Sequence, residues 1–290
     1  MVIRMLGGFE SYNRLCLINN WRLLKMKDVD TCKPRLYLTA NTLKFIAIIA
    51  MTIDHIAYSF AVLNDLPQSF LNTFISIIGL IAAPTMFYFA VEGYHHTKNI
   101  KKYFSRLAIF AVISWFPFSY FINGGIIAGL TIHYYLFFNV IYTILLGMLA
   151  ICVRRKLKNK LVKAILILSL IILSTPGNWG FWGVIFMLVF DYFYGSFKKQ
   201  AFGYCVVVLL YIILATNIQT SLFVFFTKGV FDLNLLSVNF AMQRMGLFIP
   251  ILLLYFYNGQ RGGGGAFAKW FFYIFYPLHL LVLGFLQTVL

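Results

Sequence analysis

Residues 43–56 read Leu-Lys-Phe-Ile-Ala-Ile-Ile-Ala-Met-Thr-Ile-Asp-His-Ile. Apart from Lys44, Thr52, Asp54 and His55 the stretch is apolar. Carried on to 41–62, it reaches the roughly 20 residues a helix needs to cross a bilayer, at about 1.5 Å each across about 30 Å. Further candidate spans fall near 70–92, 105–123, 130–152, 161–175, 179–196, 201–217, 243–257 and 270–289. The segment 218–242 holds Lys228 and Asp232 in otherwise apolar sequence. It reads as an outer loop, a re-entrant segment or a tenth span. The expected fold class is all-α: a polytopic integral membrane helical bundle of about nine spans, or ten if 218–242 crosses.

Composition supports that reading. Of 290 residues, 61% are hydrophobic and 11% charged, where a soluble domain carries about 25% charged residues. The aromatic share of 19% suits a lipid-facing surface with interfacial belts. A net charge of +16 can signal nucleic acid. Here the positive-inside rule accounts for it, and nucleic acid is not an expected partner. With an inside amino terminus, the inner segments are 1–40, 93–104, 153–160, 197–200 and 258–269. Together with Arg106 and Lys163 at span starts they hold 21 of the 24 Lys and Arg residues; Lys44, Lys228 and Arg244 are the exceptions. The carboxyl terminus is then outside.

The four cysteines (Cys16, Cys32, Cys152, Cys205) are far apart and support neither a disulfide framework nor a zinc site. No cleavable signal peptide is expected, because residues 1–35 lack a continuous apolar core. Two domains are expected: a basic extension over 1–40 and a transmembrane domain over 41–290. Within the extension, Tyr12 to Met26 interleaves apolar residues with Arg14, Arg22 and Lys25. It suits a basic amphipathic helix on the inner leaflet, or a poorly ordered extension with translation starting at Met1 or Met26.

Ionisable groups inside spans cost several kcal/mol unless they pair or face a wet cavity, so each is a functional candidate. Lys44 and His55 lie eleven residues apart, about 20° from eclipsed and roughly 16 Å along one helix face. That stripe suits a phosphate-bearing donor at its basic end and chemistry deeper in, although Lys44 could equally snorkel to the interface. Asp54 points about 100° away from His55 and is expected to face another span. Glu92 and His96 are placed i,i+4 to pair on one helix face. Neighbouring His95 invites a metal reading, but two loop histidines and one carboxylate are weak support for a metal, and none is expected. In the last span, His279 lies ten residues after Lys269, roughly 15 Å deep. Pro277 interrupts the helix beside it, and Tyr276 is i,i+3 to it. His55 and His279 can meet if the first and last spans pack together. Arg244, near an outer helix end, reads as a cavity cation or a snorkelling residue. His133 and Tyr134 follow an outer Asn-Gly-Gly loop. The loop 258–265, Asn-Gly-Gln-Arg-Gly-Gly-Gly-Gly, is basic and lacks a P-loop lysine-serine pair.

These residues carry a resemblance. Residues 43–56 are similar to the opening signature of the TraX family. Glu92-Gly93 with Thr97, Asn99, Tyr103 and Arg106-Leu107 resembles its second block. Asn258-Gly259, Arg261-Gly262, Phe272-Tyr273 and Tyr276-Pro-Leu-His-Leu280 resemble its carboxyl-terminal signature. The blocks bracket residues 41–285 in the family's order. Lys44 and His55, with ten residues between them, also resemble the first helix of membrane acyltransferase family three.

The resemblance implies a bacterial inner-membrane protein, multi-pass, with its amino terminus cytoplasmic. TraX-like proteins are associated with acetylating the amino terminus of conjugative pilin. The implied activity is acyl transfer from acyl-coenzyme A, acetyl-coenzyme A first, to an acceptor amine or hydroxyl on a peptide or glycan. His55 is the expected base or nucleophile, since only histidine there titrates near neutrality. Asp54, His279, Tyr276 and Glu92 complete the candidate catalytic set. Lys44, Lys101, Lys102, Arg106, Arg261 and Lys269 form the pool for the donor phosphates. The competing class is a proton- or ion-coupled transporter, in which Asp54, His55, Glu92 and His279 form a relay.

Overall fold

The computed structural model describes residues 38–64, 70–125, 137–228 and 242–289. The chain divides after Leu36, and all the described residues belong to the unit Tyr37–Leu290. The basic stretch Tyr12 to Met26, His133, Tyr134 and Asp232 lie outside the described residues.

Among the described residues the fold is helical, with two isolated bridges, Leu38 to Tyr257 and Phe138 to Gly177. The order is α1 (Ala40–Asn64), α2 (Phe70–Gly79), α3 (Ala82–His96), α4 (Ile100–Ile113), α5 (Trp115–Ile122) and α6 (Val140–Lys156). Then come α7 (Lys160–Leu173), α8 (Gly180–Tyr192), α9 (Phe197–Lys228), a 3-10 turn (Met245–Phe248), α10 (Ile249–Tyr255) and α11 (Gly265–Val289). Three helices start on asparagine caps. Asn99, Asn139 and Asn159 each accept first-turn amides with their side chains, satisfying donors that a helix start leaves orphaned.

Two expected spans are broken. The segment near 70–92 is two helices, parting at Leu80–Ile81 ahead of Pro84. The segment near 105–123 begins earlier, at Ile100, and breaks at Ser114 ahead of Pro117. Both prolines sit in a first turn, where the missing N–H would have no helical partner anyway. Helix α9 runs on through Lys228, past the expected end at 217.

Among the described residues, five stretches are long and apolar enough to cross a membrane: Ala40–Ser59, Thr73–His96, Ile100–Ile122, Phe197–Leu214 and Trp270–Val289. Gly180–Tyr192 and Met242–Tyr255 are shorter apolar helices. The outer surface supports the same conclusion. Helix α7 buries none of its side chains, yet Leu161, Ile165, Leu168 and Ile172 all stand exposed. Val112 and Phe202 are each 72% exposed. Apolar surface this continuous suits a lipid-facing exterior.

The core centres on α3, whose Phe87, Tyr88, Phe89 and Val91 pack with Met148 and Ile151 of α6 and Phe186, Met187 and Phe190 of α8. Gly183 of α8 lies where a side chain would strike Thr143 and Phe87, so this glycine allows the helices their close approach. The helix ends gather in two groups. At the basic end, Ala40 and Asn41 amides donate to Gln260 and Arg261 carbonyls, tying α1 to the loop before α11. At the other end, Phe138 donates to Pro176 and Asn178 donates to Phe138, tying the start of α6 to the turn before α8.

Candidate functional site

Helix α1 turns one stripe inward: Asn41, Lys44, Ile48, Met51, His55 and Tyr58, at successive steps of three and four residues. The stripe lines a cavity of about 1390 Å³. From Asn41 to Tyr58 it climbs about 26 Å along the axis. The cavity touches both ends of the bundle. Tyr257, Gly259 and Arg261 line it at the basic end, and Asn178, Trp179 and Arg244 line it at the other.

Deep in this cavity, His55 Nδ1 lies 2.9 Å from His279 Nε2. The two rings are parallel to within 4°, which suits one in-plane N–H···N bond. His279 Nδ1 lies 2.9 Å from the Phe275 carbonyl oxygen. A carbonyl only accepts, so Nδ1 of His279 carries the proton and its Nε2 is the acceptor. His55 must then donate from Nδ1, and its own Nε2 holds the free lone pair. His55 lines the cavity, while His279 is 8% exposed and packs behind it. The pairing therefore fixes which nitrogen of His55 keeps its lone pair.

Tyr276 is buried and lines the cavity. Its ring meets His279 edge-on at 5.6 Å, and the Val140 amide, an orphan donor of the first turn of α6, bonds its hydroxyl. Asp54 turns from His55 toward α2, where Gly79 gives it room: any side chain at Gly79 would collide with the carboxylate. Asp54 also feels the charge of Arg244 and lines the same cavity.

The donor pool separates by position. Lys44 stays inside the cavity, its Nζ 5.1 Å from the Phe89 ring and 5.5 Å from Phe272, a cation–π arrangement. Arg261 lies near enough to repel it electrostatically, and Glu92 attracts it. Arg106 lines the cavity, leans over Tyr103 at 5.8 Å and bonds the Tyr273 hydroxyl. Its Nε is buried with no hydrogen-bond partner among the described residues. Lys101 and Lys102 are exposed and share only a surface hollow with Arg106. The Lys269 side chain lies outside the described residues.

Glu92 lines the cavity mouth and binds His96 at 3.1 Å. Tyr88 and Tyr194 donate to its two oxygens at 3.2 and 3.5 Å. At the same mouth, the Tyr257 hydroxyl is pushed up to about 12 by burial, then by the Glu92 charge and Tyr194. It stays a neutral donor at any physiological pH.

One cluster escaped the sequence reading. Asp191, at the last turn of α8, is fully buried and takes the guanidiniums of both Arg154 and Arg155. His95 Nε2 lies 2.9 Å from the same carboxylate, and its ring stacks on Tyr194 at 3.5 Å. A signal was present: Asp191 is one of only eight acidic residues and sits in an apolar span. Its partners come from α3 and α6, which no local spacing reveals. Among the described residues no three His, Cys, Asp or Glu side chains gather to hold a metal ion.

A helical bundle with an apolar exterior, enclosing a cavity that ionisable side chains line, defines a multi-pass membrane protein. The chain belongs to the TraX family: residues 39–287 match the family described as TraX protein. It is 32% identical over 248 residues to the "Probable fimbrial assembly protein FimC, serogroup H1" of Dichelobacter nodosus. That likeness covers 84% of this chain and 94% of the relative. No solved structure matches it.

Proposed function

We propose that this chain is an integral-membrane acyltransferase, an acetyltransferase by family association. It takes its acyl group from acyl-coenzyme A on the cytoplasmic side of the bacterial inner membrane and delivers it to an acceptor amine or hydroxyl at or beyond the membrane. The observation that carries this reading is the His55–His279 pair beside a cavity that His55 lines and that opens toward a basic mouth. The relative named as a fimbrial assembly protein makes a pilin-like peptide one candidate acceptor.

The chemistry balances with the residues present. The acceptor attacks the thioester carbonyl carbon as His55 Nε2 takes its proton. The tetrahedral oxyanion can draw a hydrogen bond from the Tyr276 hydroxyl. The C–S bond then breaks, and the leaving thiolate recovers the proton from His55. His279 orients His55 and spreads the positive charge it gains. The cavity volume exceeds the roughly 300–1,000 Å³ of ordinary ligand pockets, which leaves room for donor and acceptor together. The apolar wall between Lys44 and His55 suits the pantetheine arm, with the phosphates at Lys44, Arg261 and Arg106. The same Lys44–His55 spacing is what resembles membrane acyltransferase family three.

The transporter reading is less well served. A relay would have to continue from the pair through Asp54 or Glu92, but Asp54 turns toward Gly79 and Glu92 pairs with His96 at the mouth.

Two expected results test the proposal. In detergent, acetyl-coenzyme A should raise the melting temperature of the wild type. Lys44→Ala and Arg261→Ala should each weaken that effect at least about tenfold in concentration, as a charge-assisted bond of about 1.5–3 kcal/mol implies. Equal stabilisation of both variants would remove these residues from the donor site. For orientation, a reporter fused after Leu290 should read as extracytoplasmic and one inserted near Lys158 as cytoplasmic. The reverse at either place would turn the layout over.

A further inference from the structure

The described carboxylates differ in how they are paired. Asp191 holds the guanidiniums of Arg154 and Arg155, and Glu92 holds His96 and two tyrosine hydroxyls. Asp54 lies within a candidate span, yet no hydrogen bond or ion pair joins its carboxylate to a described residue. It feels only the charge of Arg244. A carboxylate so placed is costly unless a cavity hydrates it or a partner arrives.

Its position indicates the partner. The cavity runs on past His55 to Asn178, Trp179 and Arg244, at the end opposite the basic mouth. A donor held near Lys44 and Arg261 fills the basic end, so the acceptor enters from the other. Asp54 and His55 are neighbours on α1 and line the same cavity, about 100° apart around the helix. The donor's phosphates thus meet cations, and an acceptor meets a negative charge beside the base.

The proton count separates the two classes of acceptor. A hydroxyl has one proton to lose, which His55 takes and returns to the thiolate. An amine arrives as an ammonium ion and has two to lose, since R–NH3+ and acyl-coenzyme A give the amide, coenzyme A and a free proton. His55 accounts for one of them. The Asp54 carboxylate can take the other, leaving a neutral amine whose lone pair attacks the thioester. Away from bulk water this transfer turns two charges into none and removes their desolvation penalty. The carboxylic acid then releases its proton toward the end away from the donor.

We infer that Asp54 binds the acceptor as an ammonium ion and takes the first of its two protons, which makes an amine, not a hydroxyl, the group acylated. This rests on the acyl-transfer reading above.

The test uses purified full-length protein, acetyl-coenzyme A and two acceptor mixtures. One holds tripeptide amides with a randomised first residue, and the other the same peptides with a hydroxyl in place of the amino group. Release of free coenzyme A is followed at about pH 7 and about pH 9, on either side of the α-amino pKa of about 7.7–8.0. The wild type should use the amines at least about tenfold better than the hydroxyl analogues. At the lower pH, Asp54→Asn should lose about 10–100-fold on the amines relative to wild type, the worth of a charge-assisted bond. At the higher pH, where the amine is already neutral, most of that loss should disappear. Asp54→Glu keeps the charge and should follow the wild type's pH dependence. Acetyl-coenzyme A should stabilise both variants against heat as it does the wild type. No loss in Asp54→Asn, a loss of equal size at both pH values, or equal use of the hydroxyl mixture by the wild type would overturn the assignment. If acetyl-coenzyme A stabilises the wild type but neither mixture releases coenzyme A, the amine assignment falls alone. If it does not stabilise the wild type, the acyl-transfer reading falls and takes the role of Asp54 with it.

Discussion

His55→Gln should lose about 10²–10⁴-fold of acyl transfer, the range that general-base catalysis supplies, while the protein still inserts and still binds coenzyme A. The glutamine can place an amide nitrogen near His279 Nε2 and keep that bond, so packing between α1 and α11 survives. What it cannot place there is an imidazole lone pair able to take the acceptor's proton. His55→Ala should be as inactive and somewhat less stable, since His279 Nε2 then loses its donor. Changing the other member separates the roles. His279→Gln keeps an acceptor for the His55 Nδ1–H and should retain more activity than His55→Gln, because it touches no reacting atom. Transfer would be followed as acceptor-dependent release of free coenzyme A. Near-normal release by His55→Gln would end its assignment as base, and an inactive His279→Gln beside it would move the chemistry to His279.

The class of fold was legible because it depends on composition and period alone. The run 43–56, carried on to 41–62, reaches the length of a bilayer crossing, and the basic residues gather at alternate helix ends. The breaks after Gly79 and at Ser114 were less legible. A hydropathy window averages over Pro84 and Pro117 and reports one long span where the backbone turns twice. Within the site, the Lys44–His55 stripe was readable, since both residues ride on one helix and 3.6 residues per turn fixes their angle. The same arithmetic turned Asp54 away from His55, and the Gly79 contact shows what it turns toward. The His55–His279 bond spans 224 residues of sequence, and only the packing of α1 against α11 creates it. The tautomer lies further still from the sequence, since it follows from a carbonyl at Phe275 that is visible only once the ring is placed. Arg106 illustrates the reverse. Grouped by charge with Lys101 and Lys102, it differs from them in pointing inward, a distinction made by helix rotation and not by residue type.

Asp191→Ala should cost about 3 kcal/mol of stability, the low end of what breaking a buried ion pair costs. The low end applies because the arginine side chains keep 26% and 37% of their exposure while the carboxylate keeps none. Removing the acid leaves two guanidiniums and the His95 ring facing each other at the meeting point of α3, α6 and α8. Water can reach the arginines and soften the loss, but nothing replaces the charge that holds the three helix ends together. The consequence should extend to the site. His95 stacks on Tyr194, and Tyr194 donates to Glu92 at the cavity mouth, so a loosened cluster frees the mouth as well. Coenzyme A binding should therefore weaken along with stability, although Asp191 does not line the cavity. The control is charge removal without charge imbalance. Asp191→Leu combined with Arg154→Met and Arg155→Met should recover much of the lost stability, because well-packed apolar replacements of a buried ionic cluster are often neutral or better. Unfolding in detergent, followed by helix loss against denaturant, reads both effects. A single variant within about 0.5 kcal/mol of wild type, the ordinary range for an unimportant surface position, would show that the cluster does not hold the helix ends.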